Sequence, residues 1–506
     1  MTRRASSGRI VLLEVDGGTT TPLYRRVYDA IRTRILDGSL RRGAPLPSSR
    51  ALAGDLDVSR STVILAYEQL RAEGYIEGRM GAPTRVSATL PDRSLRAPGF
   101  AERRPSAIHG GRPSARAMRI VASPRERELA GKPPRAFRVA VPAVDIFPVD
   151  TWGRILAKRW GRAPARALAY GDPFGYLPLR EAIAEYLASA RGVRCEAAQI
   201  MIVNGSQEGL DIACRVVLDP GDSAWMEDPG YFGARGALTA AGAHIANIPV
   251  DEHGLVVKQG IRQAPDAKLA FVTPARQMPL GVTLSLARRL ELIEWARASN
   301  AWIFEDDYDS EFRYTGRPLA ALHGLDPDGT VIYSGTFSKV TFPSLRLGYV
   351  VVPPMLVEAF EATRHFLNYS PPYLEQAVLC DFMTEGHFER HIRRTRAVYH
   401  ERQQLLVELA RRELAGGMTV SASDSGMNLI GWLPEGSSDL AVAKAARLRD
   451  VDVIPVTPFS IRVLPPGVML GYAGVRDREM REGVTRLAMA LEDCSLADAR
   501  WTARAR

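Results

Sequence analysis

Lys339 stands among small hydroxyl residues in Ser334-Gly335-Thr336-Phe337-Ser338-Lys339-Val340-Thr341, and Arg346 follows seven positions later in a stretch otherwise apolar or small. An ammonium in such company is costly to bury unless it has a task. Two readings fit these residues. In one, Lys339 is a surface charge at the end of a strand, Thr330 to Tyr333, and Arg346 pairs with a carboxylate. In the other, Lys339 is a desolvated amine of lowered pKa that forms a Schiff base with an aldehyde cofactor, and Arg346 clamps that cofactor's phosphate.

Two further stretches bear on the choice. Asn204-Gly205-Ser206-Gln207 follows an apolar run and opens a helical pattern, so its N–H groups and the Ser206 hydroxyl could hold a phosphate at a helix N-terminus. Alone, such a Gly-Ser pair is more often a plain turn. Glu305-Asp306-Asp307-Tyr308-Asp309-Ser310-Glu311 sets several carboxylates directly after an apolar strand, where a solvated acidic loop is the simpler reading. Phosphate candidates, a carboxylate at a strand end and a lysine 33 residues further on are together what a pyridoxal phosphate site requires. The carboxylate would keep the ring nitrogen protonated, and the lysine would carry the aldehyde.

Such groups need a scaffold that gathers them. From Phe137 onward, short apolar runs (200–203, 223–226, 244–248, 268–272, 302–304 and 331–333) alternate with helical patterns at 179–189, 207–217 and 285–298. That alternation predicts an α/β domain with a mostly parallel sheet and ligands at the carboxyl ends of its strands.

At 506 residues the chain is too long for one ordinary domain. Cys195, Cys214, Cys380 and Cys494 are far apart, without metal-ligand spacing, which predicts neither a disulfide framework nor a zinc site and suggests a reduced, cytoplasmic protein. No segment is apolar for membrane-spanning length. The net charge of +9 is uneven: residues 1–88 carry 14 basic against 9 acidic side chains, residues 89–135 carry 11 against 4, and the remainder 41 against 44. The basic first quarter suggests a polyanion partner.

In that quarter, Leu23, Val27, Ala30, Ile31 and Ile35 form a helical stripe, Ser48 reads as the N-cap of a second helix and Ser59 of a third. This is a helix-turn-helix, or else a small bundle with a basic face. In the first case Ser59, Arg60, Ser61 and Thr62 would enter the major groove, Arg50 would brace the backbone, and Arg79 and Arg85 of a following wing would lie near phosphates. Residues 89–135 are rich in Arg, Pro, Ala, Ser and Gly without sustained apolar period, and are expected to be a flexible tether with ends roughly 35–40 Å apart. Arg103, Arg104, Arg112 and Arg116 could help it bind DNA directly.

The stretch from Thr21 to Gly78 closely resembles the GntR-type winged helix-turn-helix of bacterial regulators. YGDPFGYLPLREAIAEYLASARGV, IVNGSQEGLDIACRVVLDPGD, EDPGYFGARGAL, FEDDYDSEFRY and YSGTFSKVTFPSLRLGYVV together resemble the fold-type I aminotransferase-like domain of the MocR/GabR-type regulators, in the same order behind the winged head. The resemblance implies a multidomain chain: a head at 1–88, the linker at 89–135, and at 136–506 a domain with a mostly parallel central sheet and a smaller C-terminal α+β subdomain. It implies that pyridoxal 5'-phosphate is bound through Lys339, with Asp306 on the pyridine nitrogen, Tyr308 on the ring hydroxyl and Tyr231 stacked on the ring. Ser206, Gln207, Thr336 and Arg346 would bind the phosphate, joined by Tyr170 of the other subunit of a homodimer, with Gly205 and Ser338 among the further cofactor-binding residues. The implied function is transcription regulation: an amine or amino-acid-like effector forms an external aldimine in place of Lys339 and alters binding of a double-stranded DNA operator. An active aminotransferase with a fused head is the alternative.

Three departures from the family pattern stand out. The wing reads Gly81-Ala82-Pro83-Thr84-Arg85, with Arg85 where an aromatic is usual. Met469 stands where amino-acid-binding members carry a carboxylate-binding arginine, and Arg276 is new in Thr273-Pro274-Ala275-Arg276-Gln277-Met278-Pro279. Arg276 could take over the effector's anion, the effector could lack an α-carboxylate, or cofactor binding alone could be the signal.

Overall fold

The structure, a computed structural model, describes residues 21–78, 83–90, 111–123, 133–162, 164–316 and 320–504. Arg79, Arg103 and Arg104 lie outside them. The chain divides into two compact units, residues 1–112 and 113–506.

In the first unit, α1 (Leu23–Leu36), α2 (Ser49–Asp55) and α3 (Arg60–Ala72) precede the short strands β1 (Ile76–Glu77) and β2 (Arg85–Val86), which pair antiparallel. The apolar stripe of α1 turns Val27, Ile31 and Ile35 inward against Val63, Ala66 and Leu70 of α3, and Val86 of the wing closes the same core. The Ser48 hydroxyl accepts from Ala51 N and the Ser59 hydroxyl from Thr62 N, so each serine satisfies an N–H that the first helical turn leaves open.

The second unit begins with a helix inside the segment expected to be a tether. In α4 (Ala115–Ala122) the Ser114 hydroxyl caps Ala117 N, and Ala117 and Ile120 are half-buried. The physical reason is a surface to lie on, since a short helix marginal by itself becomes stable when one face packs.

After α5 (Val149–Gly161) and α6 (Leu177–Arg191) come β3 (Ile200–Val203), α7 (Ser206–Val217), β4 (Ser223–Asp228), α8 (Phe232–Ala241), β5 (His244–Asp251) and β6 (Gly254–Leu255). Then follow α9 (Val257–Gln263), β7 (Leu269–Val272), α10 (Leu286–Ala298), β8 (Trp302–Asp307), β9 (Val331–Thr336) and β10 (Gly348–Val351). The eight strands form one sheet in the order β3-β10-β9-β8-β7-β4-β5-β6. The run β9-β8-β7-β4-β5 is parallel, whereas β10 lies antiparallel to both β3 and β9 and β6 is antiparallel to β5. Helix α4 packs on α8. After α11 (Val357–Leu367), α12 (Tyr373–Thr384) and α13 (His387–Glu413), a separate four-stranded antiparallel sheet forms. Its strands are β11 (Thr419–Val420), β12 (Asn428–Trp432), β13 (Ile454–Pro455) and β14 (Gly467–Gly471), in the order β11-β12-β14-β13. Helices α14 (Asp439–Leu448) and α15 (Asp477–Arg504) complete this α+β part.

The central strands are buried on both faces, so even their charged residues must find partners inside. Arg191, at the end of α6, donates from Nε to Asp307 Oδ2 at 2.8 Å, and the Tyr333 hydroxyl donates to the same oxygen at 2.7 Å. Arg191→Ala would leave Asp307 as an uncompensated buried charge. The expected loss is about 3–5 kcal/mol of stability, read from the shift of the urea unfolding midpoint.

Candidate functional site

Side chains alternate along a strand, and on β8 that alternation sorts the carboxylates. Glu305 accepts from Leu322 N and His323 N, and Asp307 takes Arg191, so both are absorbed by the core. Asp306 points the other way and lines a cavity of about 170 Å³ at the carboxyl end of the sheet. Its Oδ1 is buried without a hydrogen-bond partner. Burial, with neighbouring Asp307 adding to it, pushes the Asp306 carboxyl up to about 7, against the opposing pull of Lys339.

Lys339 lies just past the end of β9, where its Nζ donates to Ala140 O at 3.1 Å and faces the same cavity. Gly205, Ser206, Gln207, Tyr231, Tyr308, Thr336, Ser338 and Arg346 also line it. The anion-binding features converge at one end. Gly205, at φ 92°, precedes α7 and leaves the helix without a side-chain cap, so its first N–H groups remain available. A Cβ on Gly205 would lie 3.3 Å from Arg346 Nη2, and Arg346 itself is held by a bond from Nη2 to Asn204 O at 3.0 Å. The Ser338 hydroxyl is buried with no partner. On the other side, Tyr231 donates to Gln207 Oε1 at 3.3 Å, and Gln207 Nε2 donates to Gly233 O at 3.0 Å. The hydroxyl of Tyr308 is held protonated by burial, with Asp309 adding to the effect.

Several lining residues carry no motif that local sequence reveals. Val139 and Ala140 come from the start of the unit, Thr273 follows β7, and Met427 and Asn428 open β12 of the small sheet. Beneath Thr273, whose hydroxyl donates to Glu227 Oε2 at 2.7 Å, burial pushes the Glu227 carboxyl up to about 7. An adjoining cavity of about 450 Å³ shares Val139, Ala140, Gln207, Tyr231, Met278 and Lys339, and is walled on its far side by Ile120 and Ser123 at the end of α4.

Arg276 lines neither cavity, contrary to the expectation that it receives the effector's anion. It is buried, its Nε 3.3 Å from Asp309 Oδ2, while its Nη atoms donate to Ser425 O and Asn428 O. A local sequence could not disclose Asp309 as its partner. Tyr170 is 87% exposed, its ring 5.1 Å from that of Tyr369, and it lies outside both cavities of its own chain. In the first unit, Arg50, Ser59, Arg60 and Ser61 are exposed and Thr62 half-buried at the start of α3. Ser59, Ser61 and Thr62 share hydroxyl contacts of 2.7–2.8 Å, and Arg85 donates to Gly43 O at 3.0 Å.

A helix-turn-helix head and a doubly covered sheet with a lysine-bearing cavity define a regulator joined to an aminotransferase-like domain. Residues 137–487 match the family described as aminotransferase class I and II, and residues 23–86 match the bacterial regulatory proteins of the gntR family. The chain belongs to the MocR-type branch of these GntR-family proteins. It is 41% identical over 482 residues to the probable rhizopine catabolism regulatory protein MocR of Rhizobium meliloti, covering 95% of this chain and 96% of that relative. It is 31% identical over 492 residues to the HTH-type transcriptional regulator TauR of Rhodobacter capsulatus, covering 93% and 96%. Among solved structures it is similar to the α-aminoadipate aminotransferase LysN of Thermus thermophilus, complexed with N-(5'-phosphopyridoxyl)-L-leucine. The TM-score is 0.66, with 28% identity over 71% of this chain and 92% of that one. Pyridoxal phosphate dependence is a property of this aminotransferase class. The cavity suits that cofactor: unpartnered Asp306 Oδ1 matches a protonated ring nitrogen, and the Gly205 turn with Arg346 and the Ser338 hydroxyl matches a phosphate. Among the described residues, no helix is long and apolar enough to cross a membrane.

Folded Asp306 keeps its proton to about pH 7, whereas an ordinary aspartate loses it near 3.8. Between those values the folded state binds the extra proton, so this group's contribution to stability falls as pH rises through that window. Without cofactor, Asp306→Asn should match the parent near pH 4 and be the more stable protein by pH 8. The difference should grow at no more than about 1.4 kcal/mol per pH unit, as measured by urea unfolding.

Proposed function

We propose that this protein is a DNA-binding transcriptional regulator that senses an amine or amino-acid-like effector through pyridoxal 5'-phosphate held at Lys339. The observation that carries the reading is the convergence, in one cavity, of Lys339, the unpartnered Asp306 carboxylate and the Arg346–Gly205 cradle, in a chain that also bears a helix-turn-helix. When bound, the cofactor supplies an aldehyde carbon open to primary amines and a ring that withdraws electrons.

This chain's residues hold and tune that group. Arg346, Ser206, Gln207, Thr336 and Ser338, with the N-terminus of α7, bind the phosphate and fix its position. Asp306 accepts a hydrogen bond from the ring nitrogen, and the positive charge there draws its own pKa back down. Tyr308 donates toward the ring hydroxyl, and Tyr231 covers one face. Tyr170, exposed on its own subunit, reaches the phosphate of a partner in a homodimer. A primary amine would compete with Lys339 Nζ for the cofactor's aldehyde carbon, and a displaced Lys339 would be free to make new contacts. Occupancy then shifts the dimer between arrangements that differ in operator affinity. In the head, Arg60 with Ser59, Ser61 and Thr62 enters the major groove of the operator, while Arg50 and Arg85 bind its phosphates.

A working aminotransferase is the second reading, favoured by Lys339 standing beside the cavity where it could also move protons. Steady production of keto acid at enzyme-like rates would support it over pure sensing.

Lys339→Ala should abolish the visible absorbance that survives dialysis of the cofactor-loaded protein. Retention of the parent spectrum would refute the attachment site. Arg60→Ala should keep that absorbance and weaken operator binding by about 1–3 kcal/mol in a titration at fixed salt. Unchanged affinity would remove Arg60 from the recognition surface.

A further inference from the structure

We infer that the effector read at Lys339 is a primary amine whose body carries no carboxylate, such as an alkylamine or an amino alcohol. This rests on the reading above, in which an amine engages the cofactor at Lys339. A carboxylate that leaves water for this cavity must find a cation or a set of donors to replace what it loses. Among the described residues, the cations lining the two cavities are Lys339 and Arg346. Lys339 is committed to the cofactor's aldehyde carbon. Arg346 is committed to its phosphate beside Gly205.

Arg276 is the remaining candidate, and its surroundings withhold it. Its guanidinium lies between Asp309 and two backbone carbonyls, with Gly281 and Gly426 packed against it. A Cβ on Gly426 would stand 2.1 Å from Arg276 Nε, so the fit leaves no slack on that side. Swinging Arg276 toward the cavity would strip buried Asp309 of its partner, and Asp309 is already a carboxyl that burial pushes up to about 7. The space beyond Lys339 is instead bounded by apolar Val139, Met278, Phe232 and Ile454 and by the uncharged polar groups of Ser123, Gln207 and Tyr231. Behind these, Met469 is fully buried in the same apolar cluster. Asn428 offers an uncharged polar group, and Asp306, taken up by the ring nitrogen, gives a ligand carboxylate no counter-charge. Such walls suit an alkyl chain or a hydroxyl.

The test uses the full-length, cofactor-loaded protein and follows its visible absorbance during titration with two matched pairs: ethanolamine against serine, and n-propylamine against 4-aminobutanoate. Each half-saturation is divided by that of free pyridoxal phosphate with the same amine. The member without a carboxylate should act at a concentration at least tenfold lower in each pair. Equal or tighter response to serine and 4-aminobutanoate would overturn the inference and leave amine sensing intact. Silence of the protein toward all four amines would overturn amine sensing, and the inference with it. Met278→Lys, which adds a cation to the wall shared by both cavities, should narrow the ratio in a variant that still shows the cofactor spectrum. An unchanged ratio there would also count against the inference.

Discussion

The site depends on burying a run of carboxylates at the end of one strand. Glu305, Asp306 and Asp307 sit on β8, and Asp309 follows two positions later, all inside the protein. An ionised acid there is tolerable only with a partner, and each has a different one: backbone N–H groups for Glu305, Arg191 and Tyr333 for Asp307, Arg276 for Asp309. Asp306 is left facing the cavity with an unpartnered oxygen. Asp307 Oδ1 and Asp309 Oδ2 are also buried without a hydrogen bond, so what sets Asp306 apart is that it alone of the four acids lines the cavity.

The same logic explains the arginines. Arg191, Arg276 and Arg346 are all near the site in sequence or space, yet only Arg346 lines the cavity. It does so because the single 3-10 turn Pro343–Leu345 and a left-handed backbone at Arg346, φ 52°, direct it toward the Gly205 turn. Arg191 and Arg276 are absorbed by the acids that burial would otherwise leave unpaired. Which guanidinium meets a ligand is therefore decided by which carboxylates the core has already claimed.

Segments far apart in the chain complete the enclosure. Val139 precedes the sheet by some sixty residues, Asn428 opens a strand of the other sheet, and Ile120 belongs to the short helix α4 that leads into this unit. Helix α4 lies against α8 because Ala117 and Ile120 give it an apolar side, although the segment as a whole is too polar and Pro-rich to bury a core of its own. Its composition pointed to a coil because isolated propensity cannot register a surface supplied by α8.

Much of the architecture was legible from local pattern. Short apolar runs disclosed the strands now β3, β4, β5, β7, β8 and β9. Serine caps disclosed α2 and α3, and the charge excess marked the head. The antiparallel β10 was harder to see because it follows the Lys339 stretch so closely, and its direction is a matter of topology. For the cavity, the sequence determined the chemical types available: one lysine among small hydroxyl residues, an acidic strand end, a Gly-Ser turn and an arginine seven positions on. Only the family resemblance pointed to Asp306; spacing along the chain could not say which of Asp306, Asp307 and Asp309 faces a ligand, nor that Arg276 is held by Asp309. The physical grounds for those choices belong to the tertiary structure, because they turn on strand pleat, burial and long-range pairing, and the energy of a charge depends on what surrounds it more than on what precedes it.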